Sequence, residues 1–363
     1  MSVASHLIEP RPNPMPTARI NWWHGLFGTP LNAVLTLLTV LFILAVVPPF
    51  VQWAVLDATW VGTAQDCSVR TGACWAFIAE KARFITFGFY PPELHWRPAL
   101  TIAILLTLLS ASALPRFWTP WLLVAWIAGL VVSVVLLAGL GTGLPVNSSQ
   151  WGGFTVTVLV WVVCFGAAFP FAVLLALARQ STLGGVRILA VLFIELMRGI
   201  PMVAILYVAM LLLPMAIPGG QLFDKLARAM LVIALFWSAY LAEVVRAGLQ
   251  AIPRGQTEAA RSLGFGYWRA MMLVVLPQAL RLVIPGVVNL AIGFLLATSL
   301  LTVIGIFDLL NAARNSATDP RWLGFYDEAY VAVASVYFLF CSIGSRYSLW
   351  LEKRLSPTAQ RPS

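Results

Sequence analysis

Charge is scarce in this sequence. Only 10% of its 363 residues are Asp, Glu, Lys or Arg, and 60% are hydrophobic. A soluble domain carries roughly 25% and 45–50%. A single soluble core of this length cannot hide so much apolar surface, so soluble enzyme classes are excluded. Disorder is excluded as well, because disordered chains are charged and poor in aromatics, and 12% of this chain is aromatic. Lysine occurs only at Lys81, Lys225 and Lys353. None follows Gly, so the GxxxxGK[ST] phosphate loop is missing and ATP hydrolysis through that device is not expected. Histidine is limited to His6, His24 and His95, all outside the apolar runs. A buried His metal site or proton relay is therefore not expected. Neither CxxC nor GxSxG occurs, and the usual parts of a membrane-embedded enzyme are missing. No metal and no cofactor is expected in this chain.

What the sequence has is apolar length. A bilayer core of about 30 Å needs roughly 20 apolar helical residues, and about eight windows qualify. They are 31–55, 99–114, 121–140, 153–178, 188–213, 229–245, a seventh starting between 270 and 282 and running to about 304, and 329–345. The fold class expected is an all-α integral membrane protein with about eight transmembrane helices. The runs are continuous rather than alternating, which argues against a barrel of strands. Pro277 and Pro285 interrupt the seventh window, and a short cytoplasmic-face helix followed by the true span is one reading of it. No signal-peptide cleavage pattern precedes the first window. Residues 1–30 read as a tail with an aromatic anchor at Trp22 and Trp23.

The formal net charge is +9. In a soluble protein it would suggest nucleic acid; here no nucleic-acid partner is expected, and the charge reports orientation. With the N-terminus in the cytoplasm and an even number of spans, Arg179, Arg187, Arg246, Arg254, Arg261, Arg269, Arg346 and Arg354 fall inside. Most acidic residues, from Asp57 to Glu328, fall outside. That is the bias of the positive-inside rule, with both termini cytoplasmic. Cys164 and Cys341 lie within spans as small apolar residues. Cys67 and Cys74 lie in the long outer loop, where an oxidising periplasm permits a disulfide; two free thiols in a packed loop is the other reading.

Five ionisable residues lie in or at the edge of spans: Glu195, Arg198, Glu243, Arg246 and Arg281. Such groups are costly in lipid and face a bundle interior or water. Glu195 with Arg198, and Glu243 with Arg246, are three apart and share helix faces. Two intrahelical ion pairs that merely satisfy each other is one reading. The other is a polar lining for a charged or zwitterionic solute. Gly199 and Pro201 weaken the helix beside Arg198 and free backbone groups, which membranes tolerate only in buried or cavity-lining positions.

The most informative stretch is QAIPRGQTEAARSLG, Gln250 to Gly264. Between the sixth and seventh windows it forms a short amphipathic helix, Thr257 to Leu263, ended by Gly264. A helix held there can dock in a groove on a cytoplasmic partner. EAARSLG followed by Leu276 and Pro277 resembles the EAA loop of ABC importer membrane subunits. FIELMRGIPM (Phe193 to Met202) and SAYLAEVVRAGLQAIPRGQTEAA (Ser238 to Ala260) resemble the polar amino-acid, histidine/glutamine-type, permeases. The N-terminal NWWHGLFGTPLNAVLTLL and GACWAFI stretches are similar to the general L-amino-acid permeases, M-type subunit. One departure stands out: Leu296 and Ala297 occupy places where that family usually has Lys and Asp.

The resemblance implies a five-helix type I importer core over 151–350. Before it stands an extension over 31–140 with three added spans and a periplasmic loop; a cytoplasmic tail over 351–363 follows. It implies a bacterial inner-membrane location, lipid contact, a second permease subunit, two ATP-binding subunits that hold ATP and Mg, and a periplasmic amino-acid-binding protein. Glu258, Ala259, Ala260, Arg261 and Gly264 would carry coupling to the ATPases. Glu195, Arg198, Glu243, Thr298 and Ser299 would line the substrate pathway, Arg198 meeting a carboxylate and Glu243 an ammonium group. The competing class is a secondary transporter or channel-like protein without an ATPase partner.

Overall fold

The computed structural model describes residues 22–69, 71–141, 143–216 and 224–355. The chain divides into two units, residues 1–74 and 75–363.

In the first unit a long helix, α1 (Pro30–Val51), begins at Thr29, whose hydroxyl accepts from the Asn32 N–H at 3.2 Å. Pro30 sits in the first turn, where a missing N–H costs least. Pro48 and Pro49 remove two donors near the far end. The helix then widens into a single π turn, Gln52–Leu56. This first candidate span is apolar all round. Beyond it, the Thr59 N–H donates to Ala73 O at 2.7 Å and the Ala73 N–H to Trp53 O at 2.8 Å. The Cys67–Cys74 disulfide closes the loop, with Cα atoms 5.7 Å apart. Gly72 lies so close to the Asp57 carbonyl that any Cβ would overlap it.

The second unit contains α2 (Trp75–Phe87), α3 (Trp96–Ala113), α4 (Pro120–Ala138), α5 (Gly153–Arg179), α6 (Gly184–Gly199), α7 (Met202–Tyr207), α8 (Lys225–Ala251), α9 (Arg254–Ser262), α10 (Leu276–Ala297), α11 (Leu309–Ser316) and α12 (Tyr326–Leu355). Helix α5 is the centre. Its Val156, Val160, Cys164 and Ala168 share one core with Ile233, Phe236 and Trp237 of α8 and Phe294 of α10. The α3–α4 hairpin covers another face of α5 through Leu105, Leu137 and Leu159. Trp237 stacks on Phe294 with centroids 5.0 Å apart. Gly248 lets α8 and α10 touch; a Cβ there would sit 2.7 Å from the Ala279 carbonyl oxygen. Small residues at such crossings are the usual device of helix packing in membranes.

Among the described residues, seven helical segments are long and apolar enough to cross a membrane, and a bent pair counted as one span makes an eighth. The bent pair corrects the fifth window, expected as one run from 188 to 213. Helix α6 stops at Gly199, Ile200 is extended (φ −102°, ψ 134°), and α7 restarts at Met202, bent by 103°. Pro201 is the cause: it lacks an N–H and bars its predecessor from the helical region. The seventh span runs from Tyr267 to Ile304 with a π turn at Met271–Val275. Pro277 therefore falls in the first turn of α10. The sixth and eighth segments extend to 225–251 and 326–355, because charged residues prolong the helices past the apolar windows.

At the end of the bundle away from α9, α2 packs on the segment between α11 and α12. Phe77 lies against Trp322 and Phe325, with ring centroids 5.6 and 5.8 Å away. Lys81 pairs with Asp319 at 2.5 Å. The ammonium group of Lys81 holds the Asp319 carboxyl below the usual carboxylate range, helped by the Arg321 N–H. Asp308 is buried and caps α11, its Oδ1 accepting from Asn311 N–H at 3.0 Å and from the Thr302 hydroxyl at 2.6 Å. Burial wins over these bonds and pushes its pKa up to about 6.

Candidate functional site

Pro253 ends α8: Ile252 before it is extended (φ −75°, ψ 125°), and α9 starts immediately after. Helix α9 runs from Arg254 to Ser262, about a turn earlier than the Thr257–Leu263 expected from the sequence. It ends in a Schellman motif. The Gly264 N–H donates to Arg261 O at 2.8 Å, the Phe265 N–H to Ala260 O at 3.0 Å, and Gly264 has φ +80°. A Cβ on Gly264 would meet nothing within 4 Å, so the need for glycine is conformational, not spatial. Ala260 is buried while Glu258, Ala259, Arg261 and Gly264 are exposed. Ala260 thus seats the helix and the other four face outward. Leu263, Trp268 and Leu273 add exposed apolar surface nearby, with Leu263 77% exposed. Gln278 of α10 donates to Gln256 of α9 at 3.3 Å, tying the exposed helix to a spanning one.

The intramembrane charges gather at this same end. Glu243 lies about two turns before the end of α8. Its Oε1 accepts from Arg179 Nη1 at 2.5 Å, and its Oε2 from Arg246 Nε and Nη2 at 2.9 and 2.8 Å. Arg198 Nη1 approaches the same Oε2 at 3.8 Å, and its guanidinium lies 5.9 Å from the Tyr240 ring centre. Arg179 also reaches Glu195 at 3.1 Å. One carboxylate therefore holds guanidinium groups from α5, α6 and α8. The Glu243–Arg246 pair forms within its helix. Glu195 and Arg198 share a face but each bonds across to another helix. Arg179 is the residue that sequence reasoning missed; it reads as a loop cation because it stands at the very end of its apolar window. Arg281 is exposed and makes no ion pair among the described residues.

Thr298 and Ser299 are not part of this cluster. They follow α10 at its far end, roughly 33 Å along from Leu276. Thr298 is buried, with its hydroxyl on Leu295 O at 2.6 Å and near Tyr337 at 3.3 Å. Ser299 donates to Leu296 O at 2.8 Å. Leu296 is half exposed and Ala297 packs against the central core.

An exposed helix capped by Gly264 thus stands between two spans, at the same end of the bundle as the charge cluster. Residues 168–357 match the family described as binding-protein-dependent transport system inner membrane component. The chain belongs to this family. It is 42% identical to the inner membrane amino-acid ABC transporter permease protein YhdY of Escherichia coli (strain K12), over 96% of each chain. It is 34% identical to the glutamate/glutamine/aspartate/asparagine transport system permease protein BztC of Rhodobacter capsulatus, over 97% of this chain and 98% of that one. Among solved structures, a chain in a crystal structure of an amino acid ABC transporter with histidines matches with a TM-score of 0.50 and 29% identity. That match covers 56% of this chain and 92% of the other. The protein is thus a multi-pass membrane transport subunit of the type I importer fold, not an enzyme. Its family works with ATPase and substrate-binding partners, which sets aside a secondary transporter or channel.

Proposed function

We propose that this chain is the permease subunit of an ATP-driven importer that moves L-amino acids from periplasm to cytoplasm, of the general L-amino-acid, M-type kind. It works beside a second permease subunit, with two ATP-binding subunits holding ATP and Mg and a periplasmic amino-acid-binding protein. The observation that carries this reading is α9: exposed, capped by Gly264, and joined through Gln256 and Gln278 to a span. Such a helix transmits motion of a docked partner to the spans behind it. The amino-acid substrate is supported by what the two long relatives are named for.

Within the bundle, Arg198 is the cation best placed for a solute carboxylate. Its contact with Glu243 is the longest of the three and its side chain is 38% exposed. Glu243 is already engaged by Arg179 and Arg246, so an ammonium group would reach it only by displacing a guanidinium. Glu195 keeps Arg179 oriented. At the far end Ser299 is the partly exposed hydroxyl of a separate stretch of the pathway, while Thr298, fully buried and bonded to Leu295 O, supports it from behind. The test is co-purification with an ATPase, followed by uptake of labelled amino acids into vesicles. ATP-dependent uptake that vanishes without the binding protein supports the reading; uptake driven by an ion gradient alone refutes it.

A further inference from the structure

At the end of α8 opposite α9, a cavity of about 280 Å³ opens between α7 with its following turn, the start of α8 and the segment after α10. It is roughly 27 Å along α8 from Glu243, so it is separate from the charge cluster. Tyr207, Lys225 and Arg228 supply its polar groups, and Met210, Leu211 and Val303 its apolar wall.

Lys225 and Arg228 are three apart, so both cations stand on one helix face and repel each other. Lys225 Nζ donates to the neutral Gly305 carbonyl at 3.1 Å. Arg228 has buried Nε and Nη1 atoms with no hydrogen-bond partner among the described residues. The adjacent carboxylate, Asp224, is turned to the start of α8, where it accepts from the Leu226 N–H at 3.2 Å. Tyr207 reaches Val303 O only at 3.5 Å, the limit of a hydrogen bond, and its hydroxyl is easily redirected. Two guanidinium N–H groups closed off from both water and protein acceptors are costly, and a small rotation of the Arg228 side chain would turn them onto an anion in the cavity and offset that cost. Ligand pockets span roughly 300–1,000 Å³, so this one suits a single small group rather than an extended molecule. A guanidinium fork matches a carboxylate or phosphate in bidentate fashion.

We infer that this cavity binds the oxyanion of a small group, with Arg228 as fork donor, Lys225 as second cation and the Tyr207 hydroxyl as third donor. The oxyanion has two sources: the carboxylate of a small solute, or the phosphate of an acidic lipid headgroup lying against the exposed Leu211 and Val303. Only the solute source rests on the proposed import of amino acids. The test reads binding without ATP, so failure of transport and failure of the site are separate results.

The full chain, purified with its partner subunits, is titrated with L-glutamate and separately with phosphatidylglycerol in mixed micelles. Thermal unfolding and native mass spectrometry report binding. At least one probe is expected to bind, and Arg228→Gln to weaken that binding tenfold or more, with Arg228→Lys and Lys225→Gln weakening it less. The unfolding midpoint without probe stays unchanged or rises in Arg228→Gln, since an unpaired buried cation has gone. Glutamate binding assigns the solute carboxylate and phosphatidylglycerol binding the lipid. Binding of neither probe, or equal binding by wild type and Arg228→Gln, overturns the site. Should Arg228→Gln not fold, unchanged affinity in both Arg228→Lys and Lys225→Gln overturns it.

Discussion

Glu243 holds three cations with one side chain, and it is only 16% exposed. Replacing one partner of a buried ion pair leaves the others uncompensated. Glu243→Gln is therefore expected to destabilise the protein by about 3 kcal/mol, read as a lowered thermal unfolding midpoint in detergent. A midpoint equal to wild type would show that the arginines find other partners. Asp308 behaves in the opposite sense. Its carboxyl titrates at about 6 in the fold, above the ordinary aspartate value of 3.8. The folded state thus binds its proton more tightly than the unfolded state does. The stability this adds is complete below about pH 4 and is lost as pH rises through 6. Asp308→Asn keeps an oxygen for Thr302 and Asn311 but cannot titrate, so the slope of stability between pH 4 and 6 should flatten. At this scale the sequence marked the costly residues but not their partners. The i, i+3 spacing made Glu195 and Arg198 look like a pair, and nothing local to α5 announced that Arg179 would reach both glutamates.

The helical elements were more legible, because hydropathy windows follow directly from bilayer thickness. Gly199 and Pro201 marked a weak point beside Arg198, but hydropathy windows cannot show that the helix breaks there and turns by 103°, or how far charged ends prolong α8 and α12. The EAA-type segment was legible for a different reason. Its glycine is required by backbone conformation, and only glycine tolerates φ +80° freely. A β-branched residue in that conformation costs roughly 1–2 kcal/mol, small beside the stability of the whole bundle. Gly264→Val should consequently leave expression and the unfolding midpoint close to wild type while cutting ATP-dependent uptake several-fold. Gly264→Ala is expected to fall between. Wild-type uptake by Gly264→Val would remove α9 geometry from the coupling route.

For the whole molecule, charge separates along the bundle. Arg246, Arg254, Arg261 and Arg269 gather around α9, and Asp308, Asp319 and Asp327 lie at the other end. The positive-inside rule then predicts a cytoplasmic α9. In a background carrying Cys164→Ala and Cys341→Ala, a membrane-impermeant maleimide should label Thr318→Cys in intact cells. It should label Ser262→Cys only after permeabilisation; the reverse pattern would invert the topology.

The bend between α6 and α7 bears on how such a chain is made. At a rise of 1.5 Å per residue, α6 is about 24 Å long and the segment after the break, residues 202–212, is shorter still. Neither half reaches across about 30 Å of hydrocarbon. The translocon therefore cannot release them one by one as stable rods. Since α5 precedes them in the chain, they are expected to be retained until α8 is synthesised and both neighbours can shield the open backbone between them. Insertion of residues 153–251 is accordingly expected to be co-operative, and a ribosome stalled before α8 should leave the nascent chain exposed to membrane proteolysis.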